Sequence, residues 1–396
     1  MGLAGRDVIS VFDLSNAEIE QLMDLADEME KFSRGRTDVC SGKVMAALFY
    51  EPSTRTRFSF EAAMQRLGGG VITCAEAGTT SAAKGESLAD TVRIVECYAD
   101  VIVMRHPLEG SAALAAEYAR APVINGGDGA HEHPTQTLLD LYTLRKEHGG
   151  IRGASVLLVG DLKYGRAARS LAYGLARFGA QIICVAPQGL EMEARTAKRL
   201  AQLGSPVRQY PSMEALAADD ELRAAIAGAG GGRGAARGGA SDVMALFDAI
   251  YVTRVQKERF PSAQAFEAVK SSYAITVEVL KRTRSDTLIM HPLPRVDELD
   301  YGIDADPRAT YFRQAGYGVP MRMALLAAIL GKAAKPVEDP AWHGRPLEAV
   351  PWGGKCSNPR CVSTNERYAV PKFVREKQGD PILCAYCERP AEGIHQ

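Results

Sequence analysis

The sequence predicts an α/β chain: two domains, each built on a parallel sheet, followed by a small β domain organised by four cysteines. Three observations lead there. Apolar runs of strand length, Val44 to Tyr50, Val101 to Met104, Ser155 to Val159, Ala249 to Thr253 and Leu288 to Met290, alternate with segments whose apolar residues recur at helical spacing. That alternation predicts parallel sheets covered on both faces. The 396 residues suffice for about two or three domains with real cores. Of eight cysteines, Cys40, Cys74, Cys97 and Cys184 are scattered, whereas Cys356, Cys361, Cys384 and Cys387 cluster late in the chain.

Formal net charge is −1, so no global field draws nucleic acid or an anionic membrane, and phosphate must be bound by local clusters. Residues Met1 to Arg6 lack an apolar signal region and the hydroxyl residue a myristoylation signal needs at position 6. No stretch is long and apolar enough to span a bilayer. The expectation is a cytoplasmic protein that binds neither nucleic acid nor membrane.

Taken in order, Ser15 and Glu18 form a capping box ahead of Ile19, Leu22, Met23, Ala26 and Met29, a first amphipathic helix. The apolar run ending at Tyr50 breaks at Pro52 into Ser53-Thr54-Arg55-Thr56-Arg57. Phe60, Met64 and Leu67 then share a helical face until Gly68-Gly69-Gly70 stops it. Ser53 and Thr54 therefore sit at a helix N-terminus, where unpaired N–H groups and the positive end of the dipole stabilise an anion. The hydroxyls add donors, and Arg55 adds a planar fork matched to phosphate oxygens. Taken alone, the run reads more readily as a plain N-cap followed by solvated arginines.

A short strand (Val71 to Cys74), a polar loop (Glu76 to Glu86) holding Ser81 and Lys84, and a helix with Leu88, Val92 and Val95 come next. Arg105 stands at the carboxyl end of the following strand, where ligands of parallel sheets bind. After the strand Pro122 to Asn125 comes His131-Glu132-His133-Pro134-Thr135-Gln136, with Pro134 suited to open a helix carrying Leu138, Leu141 and Tyr142. A lone histidine there reads as a cap or a surface group, and His131 keeps that reading.

The second α/β domain begins near residue 151. Its first strand runs into Gly160-Asp161-Leu162-Lys163-Tyr164-Gly165-Arg166, presenting Arg166 at the start of a helix with Leu171, Leu175 and Phe178. The glycine spacing is not that of a dinucleotide fingerprint. Residues 226–240 are glycine-rich and of low complexity, which predicts a disordered surface loop. Ala249 to Thr253 leads to Arg254-Val255-Gln256-Lys257-Glu258-Arg259. Leu288 to Met290 leads to His291-Pro292-Leu293-Pro294-Arg295, whose prolines fix the backbone and leave carbonyls to accept hydrogen bonds. An apolar helix, 316–330, and a proline-punctuated semi-rigid linker, 331–354, precede the cysteines.

Cys356-x4-Cys361 and Cys384-x2-Cys387 pair thiolates on two short turns, the pattern of a closed tetrahedral zinc site. Disulfides are the competing reading, and they belong to secreted chains. Four thiolates leave no open position, so one structural zinc per chain is expected and no cofactor for catalysis. Tyr368, Val370, Phe373 and Val374 are expected to form a small hairpin core that depends on the metal. The scattered cysteines read as small buried hydrophobes.

These motifs resemble those of the carbamoyltransferase family over about residues 5–330. Ser53 to Arg57 is similar to its Ser-x-Arg-Thr-Arg phosphate motif, Ser81-Ala82-Ala83-Lys84-Gly85-Glu86 to its Ser-x-x-Lys-Gly-Glu loop, His133-Pro134-Thr135-Gln136 to its carbamoyl-binding motif, and Arg254-Val255-Gln256 to its amino-acid motif. The tail resembles the zinc domain of the regulatory chain that accompanies members using aspartate, so the chain reads as a fusion. Linker 331–354 is too short for the nucleotide-binding domain that precedes the zinc domain in such chains.

The resemblance implies parallel-sheet domains of the carbamoyltransferase type, residues 1–148 for carbamoyl phosphate and 149–315 for the amino acid. Helix 316–330 would pack back on the first domain, and residues 355–396 would form the zinc-ribbon-like β domain. It implies transfer of a carbamoyl group from carbamoyl phosphate to an amine, a step of pyrimidine synthesis where the acceptor is L-aspartate. Pro292, where ornithine-using relatives carry cysteine, and the lack of a Ser-Met-Gly loop point to aspartate. By the same resemblance, Ser53, Thr54, Arg55, Thr56, Ser81, Lys84, Arg105, His133, Gln136, Leu293 and Pro294 bind carbamoyl phosphate. Thr56, Arg105 and His133 form the catalytic set, and Lys84, Arg166, Arg254 and Gln256 bind aspartate. Ser81 and Lys84 reach into a neighbour's site in a homotrimer, and Glu51 pairs with Arg166 and Arg259 to close the domains. Another amine acceptor and a catalytically inactive zinc-containing binding protein are the alternatives left open.

Overall fold

The computed structural model describes residues 2–75, 81–222, 224, 242–255, 262, 264 and 273–392. The chain divides into two compact units, residues 1–138 with 318–396, and residues 139–317.

In the first unit, β1 (Val44–Phe49), β2 (Gly70–Cys74), β3 (Val101–His106) and β4 (Val123–Asp128) form a parallel sheet in the order β2-β1-β3-β4. Met45 to Phe49 are buried without alternation, as a strand covered on both faces requires. Helix α1 (Asn16–Glu30) starts at the expected capping box: the Ser15 hydroxyl accepts from the Glu18 amide at 3.0 Å, and the Glu18 carboxylate accepts from the Ser15 amide at 2.8 Å. Helix α2 (Thr54–Arg66) buries Phe60 and Met64 and ends at Gly68, whose φ of 83° suits glycine. A Cβ at Gly68 would stand 2.7 Å from the Thr37 carbonyl oxygen. Helices α3 (Leu88–Val95) and α4 (Ser111–Tyr118) follow β2 and β3, and α5 (Pro134–His148) opens at the proline as expected.

In the second unit, β5 (Ser155–Val159), β6 (Gln181–Val185), β7 (Arg208–Tyr210), β8 (Ala249–Val252) and β9 (Leu288–Met290) form a parallel sheet ordered β7-β6-β5-β8-β9. The chain order reverses between β5 and β8, the place where α/β sheets hold ligands. Its core gathers Leu157, Val159, Ile183, Phe247, Ile250 and Ile289.

The apolar helix expected at 316–330 runs Tyr311–Ile329. Its first turns look polar in sequence because Arg313 and Gln314 are engaged inside the second unit, with Glu147 at 2.9 Å and Asp140 at 2.6 Å.

The cysteine-rich tail is β-built. Strands β10 (Glu348–Ala349), β12 (Phe373–Arg375) and β13 (Leu383–Cys384) pair antiparallel, as do β11 (Lys355–Cys356) and β14 (Ala391–Glu392). Two expectations are corrected here. The segment expected as a semi-rigid linker is tied into the fold: it supplies β10, the Leu3 amide donates to the Val337 carbonyl at 2.7 Å, and the Trp342 indole donates to the Asp13 carbonyl at 3.3 Å. The hairpin core is also different, since Tyr368 and Val370 are 56% and 61% exposed. Val362, Ala369, Tyr386 and the four cysteines instead share one core with Leu88 and Val92 of α3 and Leu114 and Ala115 of α4. The tail has too few apolar residues to close a core alone, so it borrows two helix faces.

Among the scattered cysteines, Cys40 and Cys184 are buried, Cys74 is half-buried and Cys97 is exposed, lying past the buried face of α3. The glycine-rich stretch 226–240 lies outside the described residues. No helix among the described residues is long and apolar enough to cross a membrane.

Candidate active site and metal centre

The first unit presents its expected site residues at the carboxyl ends of its four strands. Ser53 is the N-cap of α2, with extended backbone, and its side chain makes no capping hydrogen bond. The hydroxyl therefore leaves the first-turn N–H groups of α2 to an incoming anion. Thr54 and Arg55 are exposed in that turn, while Thr56 is buried beneath it. The Thr56 hydroxyl lies 3.4 Å from Nε2 of His133, which joins the segment after β1 to the segment after β4. The other His133 nitrogen, Nδ1, is 3.5 Å from the buried Thr135 hydroxyl. Gln136 is half-buried in the first turn of α5.

Arg105 on β3 is held from two sides. Its Nη1 donates to the Gly126 carbonyl at 3.3 Å, and its Nε lies 3.3 Å from the Glu51 carboxylate. Glu51 thus has a partner inside the first unit, and Arg259, named with it at the sequence level, lies outside the described residues. Ser81 and Lys84 bound a short 3-10 helix after β2, and both side chains are exposed.

Next to Arg105, His106 is kept neutral. Burial lowers its pKa to about 4, and its Nδ1 accepts from the Leu108 amide at 3.1 Å. His131 behaves oppositely and corrects the surface reading. Burial alone would favour its neutral form, but the Asp128 carboxylate, 3.0 Å from its Nδ1, raises its pKa to about 9. Asp128 itself is held below the usual carboxylate range: burial raises it, and His131, Asn125 and the Gly110 amide outweigh that. Asp128 was not singled out in the sequence. The available signal was an acidic residue set among glycines, Gly126-Gly127-Asp128-Gly129, at a strand's carboxyl end.

In the second unit, Arg166 is the first residue of α6 (Arg166–Arg177), and Arg254 follows β8. One glycine lets these segments meet, and a second tightens the loop before Arg166. Gly160, at φ 114°, would place a Cβ 2.3 Å from the Thr253 carbonyl oxygen, and Gly165 would place one 2.2 Å from that of Asp161. The Thr253 amide donates to the Val159 carbonyl at 2.8 Å, fixing the chain just before Arg254. After β9, the buried His291 ring accepts from the Leu293 amide at 2.7 Å and meets Glu298 at 2.9 Å, which sets the Leu293-Pro294 loop. That peptide bond is cis, and Leu293 has φ 53°. Arg166, Arg254 and Leu293-Pro294 thus follow three adjacent strands, while Gln256 lies outside the described residues.

The four late cysteines form the metal centre. All are buried, with sulfurs within 4.8 Å of one another. Cys356 and Cys387 sulfurs are 3.4 Å apart, and those of Cys361 and Cys384 are 3.7 Å apart. A tetrahedral thiolate site with bonds of about 2.3 Å has sulfur–sulfur edges of about 3.8 Å, so the cluster fits a metal ion. The Asn358 amide donates to the Cys356 sulfur at 3.4 Å, a bond that favours thiolate.

Three family models match the chain. Residues 6–146 match the aspartate/ornithine carbamoyltransferase carbamoyl-P binding domain, residues 152–329 the Asp/Orn binding domain, and residues 354–394 the metal binding domain of the aspartate carbamoyltransferase regulatory chain. The aspartate carbamoyltransferase catalytic subunit of Methanopyrus kandleri is 50% identical over 330 residues, covering 83% of this chain and 98% of that protein. That of Thermococcus onnurineus is 46% identical over 329 residues, with 83% and 97% covered. Among solved structures, the M. jannaschii catalytic subunit aligns with a TM-score of 0.71 at 43% identity, over 82% of this chain and 98% of its own. The Trypanosoma cruzi aspartate transcarbamoylase bound to N-(phosphonacetyl)-L-aspartic acid aligns at 0.72 and 37%, over 83% and 97%.

Proposed function

The chain belongs to the aspartate/ornithine carbamoyltransferase family, and from that premise we infer how its residues carry the carbamoyl group of carbamoyl phosphate to the amine of L-aspartate. The unprotonated amine attacks the carbonyl carbon, a carbon–nitrogen bond forms through a tetrahedral intermediate, and the carbon–oxygen bond to phosphate breaks as the departing phosphate takes the proton the nitrogen sheds. Carbamoyl aspartate and phosphate result. The reaction needs two held substrates and charge stabilised on two oxygens.

The observation that carries the reading is the uncapped N-terminus of α2. There the Ser53, Thr54 and Thr56 hydroxyls, the Arg55 guanidinium and the free turn of amides meet a phosphate. Thr56, Arg105 and His133 polarise the carbonyl oxygen. The 3.4 Å approach of Thr56 to His133 supports a shared target. Gln136 and the Leu293 and Pro294 carbonyls accept or orient the carbamoyl nitrogen. Arg166, Arg254 and Gln256 hold the two aspartate carboxylates, a task for forked donors. Residues 1–148 serve carbamoyl phosphate and residues 149–315 serve aspartate.

Ser81 and Lys84, exposed on their short helix, serve the site of a neighbouring copy in a homotrimer. The cysteine cluster holds one structural zinc, with four thiolates closing its coordination. The family's acceptor choice is tested by steady-state carbamoyl-aspartate formation with metal-loaded protein and varied aspartate. Turnover with aspartate and none with ornithine is the expected result, and the reverse overturns the acceptor assignment. Sharing of sites is tested by mixing Arg55→Ala and Lys84→Ala chains. Recovered activity in the mixture is expected, and none would assign both residues to one chain's own site.

A further inference from the structure

The second unit buries a carboxylate that no step of the transfer uses. Asp140, on α5, is 0% exposed, and both its oxygens accept from buried side chains: Oδ2 from the Tyr251 hydroxyl at 2.8 Å and Oδ1 from the Gln314 side-chain amide at 2.6 Å. A carboxylate taken out of water is tolerated only where hydrogen bonds satisfy its oxygens, so both donors have defined places. Tyr251 stands on β8, beside Leu158 of β5 and Met290 of β9. Gln314 stands in the first turn of the helix Tyr311–Ile329. Asp140 therefore ties α5, that helix and β8 at one point.

Both arms lead to substrate-facing segments. The Gln314 oxygen Oε1 accepts from the His291 amide at 2.9 Å, and that bond fixes which end of the side chain faces Asp140. The His291 ring in turn accepts from the Leu293 amide at 2.7 Å. On the other arm, Tyr251 lies three residues before Arg254, and the bond from the Thr253 amide to the Val159 carbonyl carries its position forward. The segment after β8 presents Arg254, and the segment after β9 presents the Leu293 and Pro294 carbonyls. Each is referenced to the same carboxylate, so neither shifts against the other without breaking a bond at Asp140.

We propose that Asp140 is a positioning residue that holds the segments after β8 and β9 in fixed relation, so that the aspartate amine is delivered to the carbamoyl carbon at the angle attack requires. This rests on the assignment of Arg254 to aspartate and of Leu293 and Pro294 to the carbamoyl nitrogen. Asp140 touches neither substrate. Its effect is on the mutual orientation of two bound molecules, on which the rate of a transfer between them depends steeply.

The test is steady-state carbamoyl-aspartate formation by the full metal-loaded chain and by the variants Tyr251→Phe, Gln314→Met and Asp140→Asn, with calorimetric titration of carbamoyl phosphate in the absence of aspartate. Tyr251→Phe cuts the arm toward Arg254 and should raise the aspartate KM about tenfold, while Gln314→Met cuts the arm toward Leu293 and should lower kcat about tenfold. Asp140→Asn keeps an oxygen for Gln314 and offers a donor to the Tyr251 hydroxyl, so its kinetics should stay within about threefold of wild type. The carbamoyl-phosphate Kd should change by less than about twofold in Tyr251→Phe, because the phosphate is held at α2. Wild-type kcat and KM in both cut-arm variants, with only a lowered denaturation midpoint, would assign Asp140 to stability alone and overturn the proposal; Tyr251→Phe decides it if Gln314→Met does not fold. A carbamoyl-phosphate Kd raised as much as the aspartate KM overturns it as well, since that is general loosening. Absence of turnover with aspartate in the wild type, seen before any variant is made, overturns the site assignment and this proposal with it.

Discussion

The parallel sheet of the first unit and the metal module docked beside it solve the problem of stability in different ways. The sheet buries continuous strands, Met45 to Phe49 and Val101 to Met104, under helices on its faces, and area removed from water holds it. The module has strands of two or three residues and exposes Tyr368 and Val370. Four sulfurs around a metal, and a core shared with α3 and α4, replace what it lacks. The comparison teaches that the tail leans on both the metal and the helices of the first unit, whereas the sheet carries a continuous core of its own.

Metal removal breaks the comparison most sharply. Chelation should unfold the module outright, since structural zinc contributes on the order of 10 kcal/mol to such folds. Limited proteolysis should then cut within 354–392 while circular dichroism keeps the helical signal of the α/β body. Loss of that helical signal would show that the body depends on the module for its fold. On the side of the sheet, Arg55→Ala should lower turnover by about a hundredfold or more, because donors to developing charge are worth a few kcal/mol. Arg55 is exposed in α2, so thermal unfolding should not move; normal kinetics would remove the phosphate assignment.

At the seam, Gly110→Ala forces a Cβ at φ 83° against the Tyr386 backbone, 2.8 Å away. A loss of about 2 kcal/mol or more is expected in denaturant unfolding, with the module released first. The smallest effect is one of pH. His131 has its pKa raised to about 9 by Asp128, above its unfolded value. The stabilisation from that pair is therefore complete below about pH 6.5 and is lost as pH rises through about 9. Wild-type denaturation midpoints should fall between pH 7 and pH 10 by an amount equivalent to roughly 1–2 kcal/mol, and His131→Gln should remove the difference.

Much of this was legible in the sequence because the relevant forces are local. The capping box at Ser15 and Glu18, the burial of Phe60 and Met64, the start of α5 at Pro134 and the cysteine spacing all follow from patterns within a few residues. The placing of Arg166 and Arg254 just beyond strand ends followed from the rule for parallel sheets, while the adjacency of those two strands is visible only in the structure. What stayed hidden was contact at long separation. Nothing near Glu109 announces Asn358, and nothing near Gly160 announces Thr253, whose carbonyl forbids any side chain there. His131 and His133 look alike in sequence, yet one is ion-paired with Asp128 and the other faces Thr56. Residues 331–354 read as a spacer because prolines break periodicity, while their partners, Leu3 and Asp13, lie at the far end of the sequence.

That pinned segment has a consequence for concentration. Val337 is bonded to Leu3, and Arg345 meets Glu388 beside the cysteines at 2.7 Å, so the module is leashed within a short reach of α4. A short tether presents its cargo at an effective concentration on the order of millimolar. Docking on α3 and α4 is then an intramolecular event, indifferent to how dilute the protein becomes. A separate chain carrying the same module would leave α4 bare below its dissociation constant, while this one keeps the surface covered at any dilution.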